Sequence, residues 1–189
     1  MKMKLLVAAA FLALSVLPAA AAQGPYVGAS VGLFMPHDAD LSVPGLGTGD
    51  VEYDLGVGFT IKAGYKVDDF RIEGEFGYQT ADVDNASGVD LTVLSYMVNG
   101  YYDFKVNSPL KPFVGVGVGL LNGEMDVQGF KPDDTVFGYQ FTAGVAYPLD
   151  KNLNFDVYYR FQGSADFELD GADLSYTSSN INAGLRYNF

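Results

Sequence analysis

Phe70-Arg71-Ile72-Glu73-Gly74-Glu75-Phe76-Gly77-Tyr78 changes character at every residue. Its even positions hold Phe, Ile, Gly, Phe and Tyr, and its odd positions hold Arg, Glu, Glu and Gly. Period two is the signature of a strand with unlike faces. Residues 54–66, just upstream, alternate in the same way, and Asp68-Asp69 between the two runs supplies turn-forming residues. A two-residue turn there pairs Val67 with Phe70, Lys66 with Arg71, Gly64 with Glu73 and Lys62 with Glu75. That register points Lys62, Lys66, Arg71, Glu73 and Glu75 to one face. It predicts a buried Lys62–Glu75 ion pair, with Glu73 diagonal to Lys66 and relieving the Lys66–Arg71 repulsion.

The same alternation recurs along the chain, giving strands over 26–34, 54–66, 70–79, 92–104, 112–120, 137–147, 153–162 and 179–189. Segments 35–53, 80–91, 121–136 and 163–178 are long connections, and 67–69, 105–111 and 148–152 are short. Long and short links that alternate describe an antiparallel up-and-down meander with both termini on the short-turn side.

The content of the two faces decides which one is outside. One face carries no Asp, Glu, Lys, Arg or His and is filled by Val, Leu, Ile, Phe and Tyr. The other holds ten strand charges: Asp54, Lys62, Lys66, Arg71, Glu73, Glu75, Asp103, Asp156, Arg160 and Arg186. It also holds 12 of the 14 strand glycines, so bulk is concentrated on the uncharged face. The lumen of an eight-stranded barrel is too narrow for that whole aromatic-rich face, which argues against a soluble lipocalin-like barrel. Small and polar inside with bulky and apolar outside is the arrangement of a transmembrane β-barrel. Closure is required, because lipid offers no partner to an open strand edge. The expected fold is therefore all-β: an eight-stranded antiparallel up-and-down transmembrane barrel. Tyr65, Phe70, Tyr102, Phe104, Tyr147, Tyr187 and Phe189 would form its aromatic girdle near the short turns, with Tyr78, Phe137, Tyr139 and Phe161 in the opposite one.

The 189 residues fit one domain, and a formal charge of −12 argues against a nucleic-acid partner. The absence of cysteine excludes disulfides and thiolate metal sites, and the single histidine excludes multi-histidine metal sites, so no cofactor is expected. Lys2 and Lys4, the apolar run 5–17, Pro18 and the alanines up to Ala22 have the order of a secretory signal peptide. Cleavage after Ala22 leaves 23–189 as the barrel domain. Loss of Lys2 and Lys4 moves the formal charge from −12 to −14.

Asn182-Ala-Gly184-Leu-Arg-Tyr187-Asn-Phe189 resembles the C-terminal assembly signal of bacterial outer-membrane barrels. Tyr26-Val-Gly-Ala-Ser-Val-Gly32 and Pro112-Phe-Val-Gly-Val-Gly-Val-Gly119 are similar to strands of the small outer-membrane barrel-domain family, which includes the OmpA membrane domain, OmpX-like proteins and many "porin family" antigens. The resemblance implies residence in the outer membrane among lipid and lipopolysaccharide. It also implies docking on the barrel-assembly machinery through Asn182, Gly184, Tyr187 and Phe189 of the last strand. The peptidoglycan-binding domain of full-length OmpA has no counterpart before Phe189, so wall anchoring is not carried over.

Five inward acids face five inward bases, which favours a lumen plugged by paired charges over a narrow channel or carrier for small solutes. The long connections hold 15 acidic residues and one base, Lys131. A sharp reading is calcium binding by Asp38, Asp40 and Asp50, or by Asp166, Glu168, Asp170 and Asp173. None of these has EF-hand or nonapeptide spacing, so diffuse divalent cations between the loops and lipopolysaccharide are expected instead. Some eight-stranded barrels modify lipid A with a histidine and a serine. Here His37 is the single available histidine, with Ser42 or Ser87 as conceivable partners, and a serine motif is lacking. The expected function is a non-catalytic structural or surface-interaction role.

Overall fold

The computed structural model describes residues 24–37, 39–43, 47–51, 54–82, 89–127, 133–164, 167–169, 172–174 and 176–189. Residues 1–22, the expected signal peptide, lie outside them. Twelve strands run in chain order: β1 (Gly24–Pro36), β2 (Ala39–Val43), β3 (Gly47–Val51), β4 (Gly56–Val67), β5 (Phe70–Asp82), β6 (Val89–Asp103), β7 (Lys111–Val127), β8 (Asp133–Pro148), β9 (Leu153–Ser164), β10 (Phe167–Leu169), β11 (Ala172–Leu174) and β12 (Thr177–Asn188).

Eight of these strands close into a barrel, in the order β1-β12-β9-β8-β7-β6-β5-β4. Every pairing in it is antiparallel, and β12 seals against β1 from Tyr26↔Asn188 to Pro36↔Ser178. All-round closure leaves no barrel strand with an open edge, as lipid requires. The β4–β5 register is the one that a two-residue turn dictates: Val67↔Phe70, Lys66↔Arg71, Gly64↔Glu73 and Lys62↔Glu75. Asp68 takes a left-handed φ of 51° at the turn, a conformation aspartate tolerates better than most residues.

The strand faces divide by parity. Val31, Val57, Phe70, Val98, Val116, Phe141 and Ile181 are each at least half exposed on the outer wall. Phe70 meets Tyr102 at 5.2 Å, Tyr102 meets Phe104 at 5.0 Å, and Tyr187 meets Phe189 at 5.2 Å, so rings cluster beside the short turns. Tyr65 departs from this girdle. It has outward parity but is only 4% exposed, opposite Pro25 in the ladder.

Two departures from the alternation pattern lie at the loop end. Strands β6, β7 and β8 run past the apolar band, their ladders continuing to Val89↔Val127 and Glu124↔Asp133. Beyond lipid a ladder needs no apolar face, so hydropathy alternation stops while pairing does not. Within the first and last long connections, β10-β11-β2-β3 form a second sheet, joined across by Asp173↔Ser42. Asp54 falls just before β4, exposed, with its N–H donating to the Asp82 carbonyl at 3.0 Å, so it is not a lumen charge.

Candidate functional site

The barrel interior gathers the charged residues singled out by the alternation. Lys62, Arg71, Glu73, Glu75, Asp156, Arg160 and Arg186 are buried, while Lys66 and Asp103 are half-buried at the short-turn end. These groups sit together because inward parity on five strands, β4, β5, β6, β9 and β12, converges on one narrow space.

Near the short turns, Lys66 Nζ and Arg71 Nε both donate to Asp103, at 2.5 and 2.9 Å. The Lys66–Arg71 repulsion set up by the register is therefore relieved from β6, two strands along, and not by Glu73. Glu73 instead accepts the Tyr26 hydroxyl at 2.9 Å. Arg71 lies over the rings of Tyr101 and Phe113, at 4.5 and 4.9 Å. Arg186 grips Asp156 with two nitrogens, at 2.9 and 3.2 Å, a bidentate pair between neighbouring strands. A cavity of about 500 Å³ opens below this layer, lined by Lys66, Lys111, Lys151 and Arg186 together with Asp69 and Asp103. At its rim Lys105 bonds Asp69 at 2.7 Å, which raises the lysine above its ordinary pKa.

In mid-barrel the expected Lys62–Glu75 pair does not form. Glu75 accepts from Arg160 Nη2 at 2.5 Å and from Gln140 at 3.3 Å. Lys62 lies over the Tyr158 ring at 4.9 Å, and Tyr158 in turn bonds Ser30 at 2.7 Å. The physical reason is diameter. Strands β5 and β9 stand four places apart in a ring of eight, so they face each other across the lumen. An arginine is long enough to span it, and ladder neighbours lose their priority. Gln140 continues the network to Asn99 at 2.7 Å and to Gln162 at 3.1 Å.

The lumen glycines now have a specific role. A β-carbon at Gly115 would collide with the Tyr101 ring, and one at Gly117 with Asn99. Each is the ladder partner of the side chain it accommodates. The glycine stripe of β7 is thus a recess for the large residues of β6.

Above the charges lies a feature that the face count missed. Phe34, Ala81, Leu91, Val93, Met97, Leu121 and Tyr176 form a buried apolar cluster at the loop end of the interior. A second cluster, Tyr101, Phe113, Ala146 and Tyr158, lies among the charges. The available signal was β6, where residues 91–98 read LTVLSYMV, apolar on both faces, a pattern that implies burial on both.

On the outer wall His37 bonds Thr177 and Ser179. Neither is one of the serines weighed from sequence: Ser42 is described by its backbone alone, and Ser87 lies outside the described residues. Of the acidic loop groups, Asp38, Asp166 and Asp170 also lie outside them. Asp40 stands opposite Asp50, and Glu168 opposite Asp173, in the loop ladders. At the chain end, Asn182 is buried in the lumen, while Gly184 pairs with Ser30 beside it. Tyr187 and Phe189 are exposed on the wall, and the Phe189 N–H donates to the Pro25 carbonyl at 3.0 Å.

Three comparisons bear on this architecture. The sequence model of a family described as "Outer membrane protein beta-barrel domain" matches residues 6–189. The outer membrane protein PagN of Salmonella typhimurium is 25% identical over 117 residues, 50% of this chain and 49% of PagN. The chain thus spans about half the length of that curated relative. Neisserial surface protein A has a solved structure that superposes with a TM-score of 0.67 at 26% identity, covering 88% of this chain and 97% of that one. OprG from Pseudomonas aeruginosa superposes with a TM-score of 0.61 at 15% identity, covering 88% and 96%, a likeness of fold alone.

Proposed function

We propose a role from one premise, that this chain belongs to the outer membrane protein beta-barrel domain family and resides in the bacterial outer membrane. Its interior is a structural core and its work is done at the surface, without catalysis or solute passage. The observation that carries this reading is the apolar cluster of Phe34, Val93, Met97 and Leu121, each at most 2% exposed, above a charged layer spanned by Arg160 and Glu75. An ion crossing the lumen would have to break that pair and then shed its water among apolar side chains.

A surface role agrees with the name of Neisserial surface protein A. The non-catalytic reading is supported by His37, whose two ring nitrogens meet hydroxyls, with no carboxylate among its described hydrogen-bond partners to orient it as a base. The partners follow from location: outer-membrane lipid and lipopolysaccharide around the wall, divalent cations held diffusely by the acidic loops, and the assembly machinery on the last strand. Planar-bilayer recording of the refolded chain tests the central point. No steady conductance is expected, and steady, voltage-stable conductance would overturn the sealed-lumen reading in favour of a narrow channel.

A further inference from the structure

The cavity at the short-turn end is walled by side chains that converge on the barrel axis from separate elements. Lys66 comes from β4, Arg186 from β12 and Lys111 from the start of β7, while Lys105 and Lys151 come from the turns before β7 and β9. They enclose about 500 Å³, the size of a small-molecule site. Five basic side chains thus face two acidic ones, Asp69 and Asp103, on a chain whose formal charge is −12. The main-chain carboxylate at Phe189 still leaves the lining two positive charges in excess.

Their pairing leaves donors uncommitted. Asp103 is taken by Lys66 and Arg71, and Asp69 by Lys105. Arg186 gives Nε and Nη2 to Asp156, and its Nη1 reaches Asn188 Oδ1 only at a long 3.4 Å. Arg186 is buried and held by its pair, so that donor is fixed in place. Lys111 Nζ donates to the Val106 carbonyl at 2.8 Å and carries two further N–H groups. Lys151 has no acidic side-chain partner among the described residues. The neighbouring Asp150 carboxylate accepts the Lys151 backbone N–H instead, at 2.7 Å.

Donors that approach one space from separate elements suit a phosphoryl group. Its oxygens point in three directions, and lysine meets it as a point charge from whatever side its stem allows. A carboxylate is planar and best matched by a single guanidinium fork, which here is already given to Asp156. Lys66, Asp103 and Arg186 have inward parity, so the ligand enters along the barrel axis from water, not sideways from the lipid leaflet.

We propose that this mouth binds a small soluble phosphate ester with at least two negative charges, on the periplasmic side, where the short turns of outer-membrane barrels lie. Binding there needs no passage through the lumen, so bilayer conductance tests the sealed-lumen reading separately.

The test is calorimetric titration of the refolded chain in nanodiscs of zwitterionic phospholipid, with pyrophosphate as the probe and citrate as a carboxylate of similar charge. Saturable pyrophosphate binding is expected, about tenfold tighter than citrate. Lys111→Gln and Lys151→Gln should each weaken it about three- to tenfold, whereas Lys131→Gln, in a long connection, should leave it unchanged. Both mouth lysines are exposed, so an unaltered unfolding midpoint is expected and separates lost binding from lost fold. Pyrophosphate should also shield Lys111 and Lys151, but not Lys131, from an amine-acylating reagent read by mass spectrometry. Citrate binding as tight as pyrophosphate would overturn the proposal, since charge alone would then suffice. Unchanged affinity in both lysine variants would overturn it too. Competition by phosphatidylglycerol placed in the nanodisc would assign the mouth to a lipid head group and end the soluble-ligand reading.

Discussion

The two ends of the barrel interior meet the same constraint with opposite chemistry. Toward the short turns, the lumen holds Asp103 between Lys66 and Arg71, and Arg186 clasped to Asp156, above a cavity at the short-turn end. Toward the loops, Phe34, Leu91, Val93, Met97 and Leu121 occupy the same inward parity with no charge at all. The strands and parity are shared, so the difference lies in what each end excludes. A charged layer that is paired across the lumen fixes which strands face each other, because each long side chain must find its mate. An apolar layer excludes water and ions without specifying partners. On the sealed-lumen proposal, the first holds the barrel in register and the second closes it.

The largest effect should come from breaking the pair that spans the diameter. Arg160→Ala leaves Glu75 buried without its cation, a loss of about 3–5 kcal/mol, measured by denaturant unfolding in a micelle that supports refolding. The Glu75→Gln/Arg160→Met double variant should lose less than the sum of its two singles. Additive losses would mean that the two groups act separately and that the charged end specifies nothing.

The apolar end should respond in two readouts at once. Leu121→Ala deletes a fully buried side chain, for about 2–5 kcal/mol. Combined with Phe34→Ala it should also admit ions, seen as conductance absent from the parent. If the double variant loses stability but stays electrically silent, the barrier lies in the charged layer and the division of labour drawn above is wrong.

A smaller contrast separates the inside of the wall from its outside. Gly117→Ala places a methyl against Asn99 and should cost about 1–3 kcal/mol. Gly100, with nothing within 4 Å of a built β-carbon, faces outward. Gly100→Ala there should be neutral or stabilising by up to about 1 kcal/mol. Equal effects at both positions would show that the recess in β7 has no packing role.

How much of this was legible depends on whether the cause is local. The strands and their faces are readable because side chains alternate strictly along any strand, and the β4–β5 register because Asp68-Asp69 leaves it no freedom. Partner choice inside the lumen is not local. Arg160 meets Glu75 only once eight strands have closed, across 85 residues of chain. Likewise, Thr177 and Ser179 become neighbours of His37 through β1–β12 closure, which no spacing rule encodes. The second sheet of β2, β3, β10 and β11 is not legible because its segments are only three to five residues long, too short for alternation to mark a strand.

The smallest expected effect is the most direct test of whether the diameter outranks the ladder. Lys62 and Glu75 are paired in the β4–β5 register, so a neighbour-based account predicts strong coupling between them. The geometry instead gives Glu75 to Arg160 and Gln140, and sets Lys62 over the Tyr158 ring. Lys62→Met should therefore cost only the cation–ring contact, up to about 2 kcal/mol. Its coupling to Glu75→Gln should stay near zero, within about 0.5 kcal/mol, whereas its coupling to Tyr158→Leu should account for most of the loss. A double-mutant cycle over the three positions measures all of these. Coupling above 1 kcal/mol between Lys62 and Glu75 would restore the ladder as the organising contact. It would also make the span from Arg160 to Glu75 a secondary feature of the closed barrel.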